Sequence, residues 1–99
     1  MEIAKTTDGG TLTLAVSGCL DTTTSPDLQA EIDGLQDGVG ELVIDFTNLD
    51  YISSAGLRVM LVANKKMMAS GGEMKIVGTK PPVREVFDMT GFSDILNLA

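Results

Sequence analysis

No histidine occurs anywhere in this chain. That absence removes the usual general base of enzyme catalysis and the commonest metal ligand. The lone cysteine, Cys19, has no imidazole to activate it and is a small residue near a strand end, not a nucleophile. It cannot form an internal disulfide, which fits a reducing compartment and a cytoplasmic location. Long apolar runs are missing too: none reaches the roughly 18 residues of a membrane span, and no basic-then-apolar leader opens the chain. A Walker-type phosphate loop is absent, because Gly38-Val39-Gly40 precedes a strand and no Lys-Ser/Thr follows it. Positive charge is scarce: seven Lys and Arg stand against fourteen Asp and Glu, for a net charge of −7. Only Lys65-Lys66 are adjacent, whereas nucleic acid or an anionic membrane demands clustered cations. Neither is an expected partner, so any role in transcription is indirect. The acidity serves solubility or steers the chain toward a basic partner surface.

What remains is an ordinary globular composition, 43% hydrophobic and 21% charged, on a length that supports one domain over residues 1–99. With three Phe, one Tyr and no Trp, the core rests on aliphatic residues and six methionines. Residues 1–7 are a weak strand anchored by Ile3, and Asp8-Gly9-Gly10 is a turn. Leu12, Leu14 and Val16 alternate strictly, so 11–17 forms a one-sided strand and the pair a hairpin. Asp21 to Ser25 is a polar loop, and Ser25-Pro26 supplies an N-cap and a first helical position. Leu28, Ile32 and Leu35 mark the buried side of the helix that follows, which ends among Gly34, Gly38 and Gly40. The run 41–46 is a central strand, its continuous apolar residues implying burial on both faces. Met74 to Val77 is another strand. Thr79 and Pro81-Pro82 open a helix with Val83, Val86 and Phe87 inward and Gly91 as its stop. Phe92, Ile95, Leu96 and Leu98 make a final strand or extended segment. The pattern is α/β: a mixed four- to five-stranded sheet, hairpin first, then alternating strands and helices.

The stretch that organises the rest is Leu49 to Leu61. Leu57, Met60, Leu61, Asn64 and Met68 fall at helical spacing, and apart from Asn64 they form an apolar face of a helix running from about Ser54 to Ser70. Ser53 and Ser54 lie where that helix begins. Two readings of them are open. Either one is an N-cap worth about 1 kcal/mol, or one carries a phosphate, which a helix N-terminus accommodates as an anion site. The Asp45/Asp50 carboxylates could serve acid–base chemistry, but charged side chains are mostly exposed. An enzyme is the least supported class, and no cofactor or metal is implied.

The run Asp50-Tyr51-Ile52-Ser53-Ser54-Ala55-Gly56-Leu57 resembles the signature of STAS domains, specifically the bacterial anti-sigma factor antagonists. Val16-Ser17-Gly18-Cys19-Leu20-Asp21 resembles the family's Gly-x-Leu-Asp segment. Gly71 to Val77 resembles its Gly-Gly turn into a buried strand, and Pro82 to Phe92 its last well-marked helix. The resemblance implies a single STAS domain and makes Ser54 the phosphoacceptor, with Ser53 where many members carry aspartate. It implies one partner surface built from Asp21, Thr22, Thr23, Thr24, Ser53, Ala55, Gly56, Leu57 and Arg58. The implied partner is an anti-sigma factor serine kinase, bound by the unphosphorylated protein so that a sigma factor is freed, and escaped on phosphorylation of Ser54. Two alternatives stand beside this switch: a phosphorylation-independent STAS adaptor, and a module binding a nucleotide or small anion at the helix N-terminus. STAS domains commonly carry one more helix after residue 99. Its lack here leads to the expectation of an exposed apolar patch and weak self-association.

Overall fold

The computed structural model describes residues 1–35 and 38–99. Its elements run β1 (Glu2–Asp8), β2 (Thr11–Leu20), α1 (Ser25–Asp33), β3 (Glu41–Asp45), β4 (Leu49–Ile52), α2 (Ser54–Ala69), β5 (Glu73–Val77) and α3 (Pro81–Thr90). A single 3₁₀ turn, Phe92–Asp94, follows. The sheet has five strands in the order β1-β2-β3-β5, with β4 also paired to β2. β1 and β2 are the antiparallel hairpin, and every other pairing is parallel. This is the mixed α/β sheet that the alternation of strands and helices predicts.

β2 is longer than its alternating segment suggests, and its length builds the site. Thr11 to Ala15 pair with β3, while Gly18 to Leu20 pair with β4, and the register shifts between Gly18 and Cys19. Gly18 takes φ +88, a left-handed conformation that costs glycine little and lets the strand bend from one partner to the next. β4 itself leaves no periodic trace in the sequence: its burial runs buried, exposed, exposed, buried.

One face of the sheet carries the core. Leu12, Leu14 and Val16 of β2, Leu42 and Ile44 of β3, and Met74 and Ile76 of β5 are buried together with Leu28, Ile32, Met60, Val83 and Phe87 from the helices. The other face holds Thr11, Thr13, Ala15 and Ser17, all half-buried. Val43 is buried on that side, between Thr13 and Lys75 in the ladder. β3 is thus buried at Leu42, Val43 and Ile44 in succession, as its apolar run predicts.

Three local expectations change. The stripe of α2 is Gly56, Leu57, Val59, Met60, Ala63 and Met67, while Leu61 is half-buried and Met68 is 66% exposed. Apolar residues occur all round this helix, so spacing leaves its rotation open. The close seat of Gly56 against Leu20 and Ile52 decides it. The N-cap of α1 is Thr24, so Ser25 is the first helical residue and Pro26 the second. After the αL stop at Gly91 (φ +79), Phe92–Asp94 is 3₁₀ and Ile95 is exposed. Extended structure is reached only at Leu98, which bridges Ile76.

Candidate functional site

β2 and β4 end side by side, and each feeds a helix. Leu20 is the ladder partner of Ile52, and the Ser53 N–H donates to the Leu20 carbonyl at 2.9 Å. The turn entering α1 and the turn entering α2 are therefore fixed against each other at the carboxyl ends of β2 and β4. The pairing that brings Asp21–Thr24 beside Ser53–Arg58 is made by the backbone.

In the first turn the Asp21 carboxylate accepts from the backbone N–H of Thr23 at 2.9 Å and of Thr24 at 3.0 Å. The Thr24 hydroxyl accepts from the Asp21 N–H at 2.9 Å, and its proton has the Cys19 carbonyl within reach at 2.8 Å and Asp21 Oδ1 at 3.2 Å. Donors that favour the ionised form lower a carboxyl's pKa. The Thr24 N–H chiefly, then the Thr24 hydroxyl and the Thr23 N–H, hold Asp21 below its ordinary value despite some opposing desolvation. With the folded value lowered, this brace is complete above the ordinary carboxylate value and is lost as pH falls through the folded one. The Thr23 and Thr24 amide resonances are expected to titrate together, with a midpoint below that ordinary value. A midpoint at or above it would count against the brace.

In the second turn the two serines divide the work. Ser53 is extended at φ −97, ψ 176 and is the N-cap of α2. Its hydroxyl accepts from the Gly56 N–H at 3.5 Å, a long bond, and its carbonyl accepts from the Leu57 N–H at 3.0 Å. Ser54 is the first residue of the helix and is exposed. The first N–H groups of a helix have no internal partners and carry its positive end, so the Ser54 hydroxyl sits where a phosphate is electrostatically welcome.

Thr22, Thr23, Ser54 and Arg58 are exposed; Asp21, Thr24, Ser53 and Ala55 are half-buried. Gly56 and Leu57 are buried, so they lie beneath this surface and fix its shape. A Cβ at Gly56 would fall 2.8 Å from Ile52 Cγ1 and 2.8 Å from Leu20 Cγ. Gly56→Ala is expected to destabilise the fold by about 1–3 kcal/mol through overpacking, against a helix-propensity gain of under about 1 kcal/mol. Urea unfolding measures it, and an unchanged midpoint would refute the close seat.

Two features at the rim carry no signal in the sequence pattern. Tyr51 is 52% exposed on β4, opposite Cys19 in the ladder. Asp50 accepts from Lys80, the N-cap of α3, at 2.6 Å. Both depend on β4, whose short run does not alternate. Among the described residues no group of three or more His, Cys, Asp and Glu is gathered to hold a metal ion. No helix there is long and apolar enough to cross a membrane.

Comparison with known proteins accords with this geometry. The STAS domain family model matches residues 2–99. BtrV of Bordetella bronchiseptica, named as a candidate anti-sigma factor antagonist, is 40% identical over 91 residues, covering 91% of this chain and 78% of its own. The anti-sigma F factor antagonist of Paenibacillus polymyxa is 35% identical over 89 residues, covering 88% and 76%. Among solved structures, the anti-sigma factor antagonist SpoIIAA in its unphosphorylated form superposes with a TM-score of 0.85 at 22% identity, over 99% of this chain and 88% of that one. The phosphorylated form of SpoIIAA, a Bacillus cell fate determinant, gives 0.77 at 21%, over 99% and 91%. At such identities the structural likeness carries the fold alone, and the family rests on the sequence matches. The chain belongs to the STAS domain family and, within it, to the anti-sigma factor antagonists.

Proposed function

We propose that this protein is a non-enzymatic partner switch of the cytoplasm, controlled by phosphorylation of Ser54. In its unphosphorylated form it binds an anti-sigma factor that is also a serine kinase, and a sigma factor is released. The kinase transfers a phosphoryl group to the Ser54 hydroxyl, and the modified protein lets go. Its effect on transcription is indirect, with no contact to nucleic acid.

The observation that carries this reading is the division between the two serines. Ser53 occupies the cap, so Ser54 is exposed at the first helical position and is not needed to close the helix. A phosphate there adds a charge of about −1.5 to −2 at a site whose dipole favours it. The fold is left intact and the new charge faces the partner. The names of the relatives support the reading, and SpoIIAA is known in both phosphorylated and unphosphorylated forms. The binding surface consists of Asp21, Thr22, Thr23, Thr24, Ser53, Ser54, Ala55 and Arg58, shaped from beneath by Gly56 and Leu57.

The test is displacement. A sigma factor bound to its anti-sigma factor kinase is titrated with the protein, first without nucleotide and then after incubation with ATP. Release of the sigma factor by the untreated protein, reversed by ATP, is the expected result. Release that persists after complete phosphorylation of Ser54 would defeat the switch, and failure to release at all would defeat the antagonist reading.

A further inference from the structure

The lysines and arginines fall into two groups. Lys5, Lys75, Lys80 and Arg84 each face a carboxylate: Glu31, Glu41, Asp50 and Asp88 respectively. Lys66 donates to the carbonyls of Ile32 and Asp33 at the end of α1. Arg58 and Lys65 have no such partner among the described residues, and Lys65 lies about two turns further along α2, away from the serines. Arg58 is exposed, and its helical neighbours at three and four positions are Ser54, Ala55, Leu61 and Val62, none of them charged. The nearest carboxylate before the helix, Asp50, is already held by Lys80 at 2.6 Å, and that of Asp21 is engaged within its own turn. An unpaired arginine in a chain of net charge −7, one helical turn beyond the exposed Ser54, is the feature the switch leaves unexplained.

Helical side chains lean toward the N-terminus and cover the preceding turn. Residues four apart lie about 5–6 Å apart at Cβ, and an acid placed N-terminal to a base has the favoured orientation. That side chains four apart on a helix can meet is seen within this molecule, in the less favoured order, where Arg84 and Asp88 pair at 3.3 Å on α3. A phosphate on Ser54 offers three acceptor oxygens to the Arg58 guanidinium, whose planar fork suits phosphate.

We infer that Arg58 is the built-in counter-ion of phosphorylated Ser54, pairing with the phosphate across one turn of α2. The inference rests on Ser54 being the phosphoacceptor. Phosphorylation then changes the surface twice over, adding a dianion and withdrawing the unpaired cation beside it. The partner meets a surface on which Arg58 no longer projects outward as a free donor. The same pair steadies the start of α2 in the phosphorylated state.

Phosphoserine is installed at position 54 by genetic encoding, in the otherwise native chain and in Arg58→Gln and Arg58→Lys variants, and each phosphate is titrated by ³¹P NMR. The second ionisation is expected about half a pH unit lower with Arg58 than with glutamine, given the size of an i,i+4 ion pair strengthened by a dianion. Lysine is expected to fall between them. The difference should shrink in about 1 M salt, where the Debye length is near 3 Å. Equal midpoints for arginine and glutamine at low salt would overturn the pairing. Unphosphorylated Arg58→Gln is expected to melt with the native chain, and a lowered melting temperature would assign Arg58 a structural role instead. Because the phosphate is placed without a kinase, failure of the kinase to modify Ser54 sinks the switch while this titration still decides the pairing.

Discussion

Replacing Ser54 by aspartate is expected to weaken binding to the anti-sigma factor kinase by about 100-fold or more, with no loss of thermal stability. Ser54 is exposed and no packing depends on it. An acid in the first turn of a helix is favoured by the dipole, by about 0.3–1 kcal/mol. The fold should be unchanged or slightly steadier. At an interface the same charge is desolvated against a partner shaped for a neutral hydroxyl, and such juxtaposition costs several kcal/mol. Since each step of about 1.4 kcal/mol is tenfold in affinity, a cost of about 3 kcal/mol exceeds roughly 100-fold. Ser54→Ala, which removes the acceptor and adds no charge, should bind like the native protein and stay bound in ATP. Ser53→Ala should behave oppositely, losing up to about 1 kcal/mol of stability with its cap, and less if the 3.5 Å bond is as weak as its length implies. Isothermal calorimetry separates these cases. Equal affinities for native protein and Ser54→Asp would favour a phosphorylation-independent adaptor.

Phe46→Ala is expected to cost about 3–5 kcal/mol. Phe46 is fully buried just past the end of β3, and its N–H donates to the Val77 carbonyl at 2.9 Å. With no tryptophan and three phenylalanines, the core has few side chains of comparable bulk. Removing the ring leaves a cavity in a close-packed interior, which neighbours held by the sheet close over only in part. Total stabilities of domains this size are about 5–15 kcal/mol, so the variant stands near the edge of folding. A lower urea midpoint at constant slope would record it. A loss under about 1 kcal/mol would mean that the ring is poorly packed. Binding by whatever fraction stays folded should be native, because Phe46 is outside the partner surface.

The fold was largely legible because local signals and tertiary packing agree. Strict alternation at Leu12, Leu14 and Val16, the apolar run from Leu42 to Ile44, the glycine stops at Gly71 and Gly91 and the proline start at Pro81 each correspond to an element boundary or a buried face. The losses have physical causes. β4 has four residues with two exposed positions in the middle, so no period marks it, and it forms because β2 bends toward it at Gly18. Met68 is at the right spacing for the core of α2, yet the helix is rotated by the contact of Gly56 with Leu20 and Ile52, which no local pattern reports. The cap of α1 moved to Thr24 because Asp21 and Thr24 brace each other across the turn, leaving Ser25 buried inside the helix start.

At the site, spacing placed both turns but left capping and phosphorylation open for the two serines, and only the family resemblance pointed to Ser54 as the phosphoacceptor. The structure gives the cap to Ser53 and leaves Ser54 exposed. It also takes Gly56 and Leu57 out of direct reach of a partner, a distinction that depends on the rotation of α2. Asp50, Tyr51 and Lys80 enter the rim only through β4 and the start of α3.

The measurement that bears most directly on the switch is phosphosite mapping by tandem mass spectrometry, after incubating the protein with ATP and a lysate of its own host, with Ser54→Ala as control. A single phosphate on Ser54, absent from the variant, is the expected result. Phosphate on Ser53, or none on either serine in a lysate shown to phosphorylate another substrate, would contradict the switch.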